Sequence, residues 1–517
     1  MHPFSYFLNK KSTLIDGCNY FKILFIIIFF CTSIINSKYL YSQYYNFNKW
    51  QYNFFENSIN NYLSYHTSLL INNNKYSSFD TNKFSFFSPI INMTYGHSNY
   101  TNNLYSIESG VFYQKNLTRK LNLDVCAFGS FNKYPYYINN SIDSTNSTPN
   151  WGLPLYHKNK NYILPVILMN INVQPIKYLT LSVGYNKNFI GNGYRSLLIS
   201  DNSPPYPYLK GIINFWRIEY HIIWAYLKDI ISSNSNDISF TDKYGVFHYL
   251  DVNITKRLSM GFFESVIWWG KDNTTNRGIE LYYLNPVIFF RPVEYSLHSP
   301  DNANLGGNMS IRLWNKTFIY GQIFIDDLMV KELLKNSGWW GNKYGLQIGF
   351  KTHNLLNINN LFFQNEFNLV RPFTYSHSSV NLNYGTLHTP LAHPLGANFR
   401  EYISIVRYSY KNWFVFSKTI FYTTGKDTSN LNFGQDIYKS YLLRVTKNNK
   451  VEFLQGNKLS PFYAELTINK KIIQKWNLYF FVSIKKYLSD IKSKEINETI
   501  FSVGINTQLL NNERDFW

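Results

Sequence analysis

The chain has 517 residues, and 19% of them are aromatic, with 44 Tyr, 42 Phe and 12 Trp. Its formal net charge is +19, from 50 Lys and Arg against 31 Asp and Glu. The basic residues are scattered rather than clustered in a run, and no nucleic-acid motif accompanies them, so nucleic acid is not an expected partner. A diffuse positive charge of this kind suits anionic lipid or an acidic polysaccharide.

The one long apolar stretch lies near the N-terminus, at residues 21–35, with lysines ahead of it and at its start. A basic flank followed by roughly 15 apolar residues is typical of a secretory signal peptide. The stretch is shorter than the ~20 residues of a spanning helix, although an uncleaved anchor stays open as an alternative. We expect residues 1–37 to be a signal peptide, with cleavage between about 37 and 43. Residues 38–517 would then enter the membrane as strands.

Three segments alternate with period two, which is typical of strands that have one apolar face: residues 177–186, 463–470 and 501–506. In each, large apolar residues occupy one face and small polar residues the other. A membrane barrel turns its apolar face toward lipid, whereas a soluble sandwich turns it inward. At roughly 10 residues per strand, the length allows an all-β fold, a single large antiparallel transmembrane β-barrel of about 16–18 strands.

Aromatic pairs at segment ends favour the membrane barrel, because rings form girdles at both membrane interfaces. The pairs are Trp268-Trp269, Trp339-Trp340, Tyr282-Tyr283 and Tyr136-Tyr137. Asparagine-rich turns, such as residues 357–360 and 448–449, separate the strands, since Asn tolerates the left-handed conformation. The chain ends in Trp517, and a terminal aromatic residue resembles the signal that barrel-assembly machinery recognises.

The central region contains several long motifs in a fixed order. They are NFIGNGYRSLLISDN at 188–202, YYLNPVIFFRPVEYS at 282–296, SPDN at 299–302, GWWGNKYG at 338–345, RPFTYSH at 371–377 and LAHPLGANF at 391–399. Over residues 181–401 the chain resembles the Wzi-like capsule-assembly family of outer-membrane proteins, in the Bacteroidetes type that includes the gliding-motility protein RemB. One departure is Asn192, where the family has Asp.

This resemblance implies an outer-membrane β-barrel of a Gram-negative bacterium that binds or anchors surface polysaccharide. Expected partners are outer-membrane lipid, an acidic surface polysaccharide and the barrel-assembly machinery, with motility proteins as further candidates. Two alternatives remain: a gliding-motility or envelope structural component that acts through protein partners, and a general diffusion porin. No cofactor is expected.

The candidate residues for a polysaccharide-binding site or a lumen network are aromatic, basic and acidic. Arg offers a planar fork for carboxylates, and Trp or Tyr offers a flat apolar face for sugar rings. The candidates are Arg195, Asp201, Arg291, Glu294, Tyr295, Asp301, Trp339, Trp340, Arg371, Tyr375, His377, His393, Arg400 and Glu401.

Each of these candidates has a structural alternative. The Trp pairs are interpreted as girdle residues in preference to sugar platforms, because rings are enriched at membrane interfaces. The Arg-Pro-x-x-Tyr-Ser motif occurs at 291–296 and again at 371–376, and its proline marks a strand end. Its arginines are equally compatible with ion pairs that brace the wall. Arg195 is interpreted first as a solvated residue beside a structural Gly-Asn-Gly turn, and otherwise as a partner of Asp201.

An enzyme is not expected. Asp326 and Asp327 are adjacent and would point to opposite faces of a strand. His388 and His393 lie among prolines and glycine rather than on a helix, unlike a zinc-protease motif. Cys18 and Cys31 fall in or before the leader, which leaves no cysteine pair for a structural disulfide or a metal site. We therefore expect no catalytic residues and no metal.

Overall fold

The computed structural model describes residues 85–234, 237–270, 277–286, 301–313, 316–428, 431–446, 448–491, 494–507, 509 and 515. Several features of the sequence lie outside these described residues. They are the expected signal peptide and its cleavage region, Cys18, Cys31, Arg291, Glu294, Tyr295 and Trp517.

Eighteen antiparallel strands form a closed β-barrel in the described part of the chain. They are β1 (Ser85–Ser98), β2 (Leu104–Thr118), β3 (Leu121–Lys133), β4 (Asn161–Ile176), β5 (Leu179–Asn186), β6 (Tyr206–Phe215), β7 (Ile218–Asn234), β8 (Asp237–Asn253), β9 (Leu258–Trp269), β10 (Asn302–Leu313), β11 (Thr317–Asp327), β12 (Lys343–His353), β13 (Leu361–Val370), β14 (Phe399–Tyr410), β15 (Trp413–Lys426), β16 (Phe462–Ile473), β17 (Leu478–Ile491) and β18 (Lys494–Asn506). Each strand pairs with the next, and β18 pairs with β1, which closes the barrel. The all-β prediction and the upper end of the predicted strand number are confirmed.

The connections contain short elements. They are the helices α1 (Tyr136–Thr145) and α2 (Val330–Leu334), the 3-10 turns Leu281–Leu284, Leu355–Asn357, Val380–Leu382 and Tyr441–Leu443, and the short strands Tyr156–Lys158, Gly385–Thr386, Thr389–Pro390 and Asn457–Leu459. Among the described residues, no helix has the length and apolar character needed to cross a membrane.

The two ends of the barrel differ in the length of their connections. At the end where β1 begins and β18 ends, here the short-turn end, adjacent strands are joined by a few residues. At the opposite, long-loop end lie the loops L1 (134–160), L2 (187–205), L3 (270–301), L4 (328–342), L5 (371–398) and L6 (427–461). Bacterial outer-membrane barrels have this asymmetry, with short turns facing the periplasm.

The outer face of the barrel is apolar, as the alternation predicts. In β5, Leu181 and Val183 are 41% and 56% exposed, whereas Ser182 between them is 2% exposed. Phe501 and Val503 of β18 are likewise exposed. A soluble sandwich would bury such residues in its core, so their exposure identifies a lipid-facing wall.

Exposed aromatic rings lie near both ends of this wall. They are Tyr178, Trp216, Tyr410 and Trp413 near the short turns, and Tyr95, Tyr185, Tyr402 and Phe421 near the long loops. Two bands of rings at the ends of an apolar wall are the girdles of a membrane barrel. The asparagine turn is also as predicted, since Asn357 and Asn360 have φ of 61° and 64°.

The girdle interpretation is wrong for most of the pairs chosen from the sequence. Trp268 is 2% exposed and packs against the buried Tyr283, with their ring centroids 4.9 Å apart. The part of L3 around Tyr283 folds over the outer wall here, because the Trp224 Nε1 donates to the Tyr283 carbonyl oxygen at 3.1 Å. Trp339 and Trp340 lie in L4 and pack among loop residues, not on the lipid-facing wall: Trp339 contacts Trp340, and Trp340 contacts Tyr441.

Candidate functional site

The long loops L2 and L5 fold into the lumen and are here called the plug loops. Leu197 and Leu198 of L2 are completely buried. Wall and loop bond directly, because the Leu197 amide donates to the Gln322 Oε1 of β11 at 2.9 Å. The plug loops also bond to each other, with the Tyr384 hydroxyl of L5 donating to the Leu198 carbonyl oxygen at 2.8 Å. Their apolar and polar contacts fill the lumen toward the long-loop end.

The Gly-Asn-Gly turn of L2 approaches the wall at Glu366 of β13. The carboxylate of Glu366 accepts hydrogen bonds from the Tyr194 amide at 2.6 Å and the Arg195 amide at 3.0 Å. A Cβ atom on Gly193 would lie 2.3 Å from the Glu366 Oε2, which leaves no room for a side chain. The second glycine is therefore required by close packing against the wall.

Arg195 lies within a buried ionic network, so its interpretation as a solvated residue is wrong. Its side chain is 1% exposed, and its Nη2 lies 2.7 Å from the Asp515 Oδ2 and 3.6 Å from the Glu401 Oε1. Glu401 in turn lies 2.6 Å from the His393 Nε2 of L5. Three predicted residues, Arg195, His393 and Glu401, therefore meet in the lumen and connect the two plug loops to the wall.

Three predicted residues, Trp339, Trp340 and His377, meet Tyr441 and Arg444 at the long-loop end. These five residues are here called the aromatic–cation cluster. The Trp340 ring lies 4.8 Å from the Tyr441 ring, and the Arg444 guanidinium lies over the Trp340 ring at 4.2 Å. Two more rings complete the group. The Trp339 ring centroid lies 6.1 Å from that of Trp340, and the His377 ring centroid lies 5.8 Å from that of Tyr441. All five side chains are partly exposed.

Main-chain hydrogen bonds between L4 and L6 hold this cluster in place. The Trp340 amide donates to the Asn448 carbonyl oxygen at 3.0 Å, and the Val451 amide donates to that of Gly338 at 2.8 Å. L5 joins the same assembly, since the Tyr441 amide donates to the His377 carbonyl oxygen at 3.4 Å. Three loops thus fix the rings before any ligand arrives, which lowers the ordering cost of binding.

Two arginines at this end, Arg371 and Arg444, carry positive charge without an acidic partner in the described residues. Arg444 donates to the Tyr441 carbonyl oxygen at 3.2 Å and to the Asn448 Oδ1 at 3.0 Å. Arg371 stands over the Tyr344 ring at 5.6 Å, and its buried Nε has no hydrogen-bond partner there. Arg371 makes no wall-bracing ion pair with any described residue, and Pro372 follows the end of β13 as predicted.

Burial and the positive charge of Lys343 lower the pKa of His377 to about 4. The Nδ1 of His377 accepts a hydrogen bond from the Ser379 amide at 3.2 Å. His377 is therefore neutral near pH 7 and contributes a ring, not a charge, to the cluster.

The remaining predicted residues lie elsewhere. Tyr375 is fully buried and ties the plug loops together through the Leu197 carbonyl oxygen at 3.0 Å. Within L3, Asp301 pairs with Arg277 at 2.7 Å. Asp201 is buried in L2, and Arg400 is exposed on the face of β14 opposite Glu401. These residues do not join the aromatic–cation cluster.

Some residues of these groups were missed by the sequence interpretation. Glu366 was detectable as a charged residue on the inward face of an alternating strand. Tyr441 and Arg444 lie in a loop with no periodicity or repeated motif, so only the fold identifies them. In the described residues, no group of three His, Cys, Asp or Glu side chains could hold a metal ion.

Comparisons with known proteins bear on the strand arrangement. No protein-family profile matches the chain, and no curated protein matches its sequence. A similar solved structure is Wzi, an outer-membrane protein involved in group 1 capsule assembly in Escherichia coli, which is described as a carbohydrate-binding β-barrel. Its sequence is 12% identical to this chain, and its structure matches with a TM-score of 0.48 over 81% of this chain and 84% of Wzi. Pseudomonas aeruginosa OprD is 10% identical, with a TM-score of 0.43 and coverage of 82% and 95%. A BenF-like porin from Pseudomonas fluorescens is 8% identical, with a TM-score of 0.45 and coverage of 81% and 97%.

Proposed function

We propose that this protein is an outer-membrane barrel of a Gram-negative bacterium that binds or anchors an acidic surface polysaccharide at the aromatic–cation cluster. The observation that carries this proposal is the Trp340 ring at the long-loop end, which lies 4.8 Å from the Tyr441 ring and 4.2 Å from the guanidinium of Arg444. Aromatic faces stack on the apolar faces of sugar rings, and a guanidinium bonds a carboxylate through its fork. One site therefore offers both contacts that a uronic acid needs.

The motifs of the Wzi-like resemblance support the same assignment. The segment 338–345 supplies both tryptophans, the segment 371–377 supplies Arg371 and His377, and the segment 188–202 supplies plug loop L2. Motifs that are distant in sequence thus meet in the cluster or fill the lumen. The filled lumen also argues against a general diffusion porin, which needs a continuous aqueous channel.

Binding can be measured directly with defined polysaccharides. Detergent-purified protein should bind polygalacturonate fragments more tightly than dextran of equal length, because only the former carries carboxylates. Trp340→Ala and Arg444→Ala should each weaken polygalacturonate binding about tenfold or more, as expected for an anchoring aromatic or arginine residue. Trp413→Ala, which removes an exposed girdle ring at the short-turn end, is the matched control and should bind normally.

Equal affinity for the two polysaccharides, or normal binding by both cluster variants, would contradict the proposal. In cells, loss of the gene should release surface polysaccharide into the medium. Non-spreading colonies with normal cell-bound polysaccharide would instead favour the motility alternative, in which the partners are envelope proteins.

A further inference from the structure

The described residues that follow the last strand, Thr507, Leu509 and Asp515, lie inside the lumen. β18 ends at Asn506 at the short-turn end, and Thr507 is completely buried there, with its amide bonded to the Asn92 Oδ1 at 3.1 Å. Leu509 is 3% exposed and packs in the core. Asp515 is 1% exposed and lies beside plug loop L2. The plug loops therefore enter from one end of the barrel and the C-terminal residues from the other.

Asp515 accepts hydrogen bonds from three donors on two elements of the fold. Its Oδ2 accepts from the Tyr194 hydroxyl at 2.6 Å and from the Arg195 Nη2 at 2.7 Å, both in L2. Its Oδ1 accepts from the Lys418 Nζ of β15. A carboxylate held by a guanidinium, an ammonium and a phenol is strongly bound, because each bond is assisted by charge.

Among the described residues, the other acidic neighbours of these cations are farther away. The Arg195 Nη2 lies 3.6 Å from the Glu401 Oε1, and the Lys418 Nζ lies 3.6 Å from the Glu465 Oε2. Both distances exceed those of normal hydrogen bonds. Asp515 therefore provides the close carboxylate contact between L2 and β15.

We propose that Tyr194, Arg195 and Lys418 form a carboxylate-binding site in the lumen, which the chain fills with its own Asp515. The site accepts a small monocarboxylate, and Asp515 is the internal ligand that fastens the C-terminal segment to L2. This inference does not depend on polysaccharide binding at the aromatic–cation cluster, because the two sites share no residue. A variant can therefore lose one property and keep the other.

Chemical rescue with acetate tests the site, because acetate carries the carboxylate group that Asp515→Ala removes. The readout is the temperature at which the detergent-purified barrel changes its mobility on a gel. Asp515→Ala should lower this temperature, because two buried cations lose their close counter-charge. Acetate at about 100 mM should restore much of the loss by mass action, whereas chloride at equal ionic strength should not.

Two variants separate rescue from general effects. Asp515→Asn keeps the space filled, so acetate should leave its lowered temperature unchanged. Glu495→Gln removes an exposed carboxylate and should behave like the wild type with either salt. Acetate acting no better than chloride on Asp515→Ala, or acetate raising Asp515→Asn equally, would overturn the proposal.

A second measurement applies if Asp515→Ala does not assemble. Carboxypeptidase digests exposed C-terminal residues of a folded barrel, and the wild-type segment should resist because Asp515 fastens it inside the lumen. Asp515→Asn should be digested several-fold faster while its polygalacturonate binding stays normal. Equal digestion rates for the wild type and Asp515→Asn would overturn the proposal.

Discussion

Close packing at Gly193 joins plug loop L2 to the barrel wall. A Cβ atom there would meet the Glu366 Oε2 at 2.3 Å and the Arg195 carbonyl oxygen at 2.7 Å. Gly193→Ala should therefore push L2 away from the wall and destabilise the barrel by about 1–3 kcal/mol, the usual cost of overpacking. Gly129→Ala is the control, because a Cβ atom on Gly129 meets nothing within 4 Å. Denaturant titration of both variants checks this, and equal midpoints would contradict it.

A pH-dependent contribution to stability is expected from His377. Burial and Lys343 lower its pKa from 6.5 to about 4, so the folded protein resists its protonation. As pH falls below 6.5 the unfolded state binds a proton that the folded state does not, and stability is lost until about pH 4. When the pH is lowered from 7 to 4.5, the temperature at which the barrel changes its mobility on a gel should therefore fall less for His377→Gln than for the wild type. An identical pH dependence in the two proteins would contradict the assignment.

Loop L6 has its own anchor at Asp427, just after β15. The Asp427 carboxylate accepts hydrogen bonds from the Phe433 amide at 2.6 Å and the Asp436 amide at 3.1 Å. Asp427→Ala leaves these amides unpaired at a cost of about 1–3 kcal/mol. Because L6 carries Tyr441 and Arg444, polygalacturonate binding should weaken although Asp427 does not touch the cluster.

Limited proteolysis separates this effect from global unfolding. L6 of Asp427→Ala should be cleaved faster while the strands stay protected. Asp490→Asn, at an exposed position in β17, should match the wild type in cleavage and in binding. Normal binding by Asp427→Ala would show that L6 does not need this anchor.

The elements differ in how far the sequence predicted them. Strands β5, β16 and β18 follow from alternation alone, because a residue such as Leu181 must face lipid when Ser182 faces the interior. The loops have no periodicity, so their path into the lumen could not be predicted. The motif at 338–345 indicated that Trp340 was unusual, but a strand-end ring that contacts lipid and one that contacts a loop have the same sequence pattern. The contact with Tyr441 of L6 decides between them.

At the scale of the whole molecule, the barrel combines a lipid-facing wall with a filled interior. The same alternation that turns apolar side chains outward turns Asn, Gln, Ser, Glu and Lys inward, where water would fill an open porin. Here the plug loops and the C-terminal residues make hydrogen bonds with many of these inward-facing groups. The ionic network around Arg195 lies inside the lumen, whereas the aromatic–cation cluster lies among the loops at one end of the barrel.

A closed lumen predicts that the barrel has low permeability to solutes. Liposomes that contain the wild-type barrel should swell slowly in isotonic sugar solutions, because L2 and L5 block the passage of solutes. Replacing residues 380–396 of L5 by a Gly/Ser linker of equal length should increase the swelling rate several-fold. This linker keeps the reach of the loop but removes its apolar packing, so it does not stay docked. The same replacement at residues 330–335 of L4, which are largely exposed, is the control and should leave the rate unchanged. Rapid swelling with the wild-type barrel would contradict a closed lumen and restore the diffusion-porin alternative.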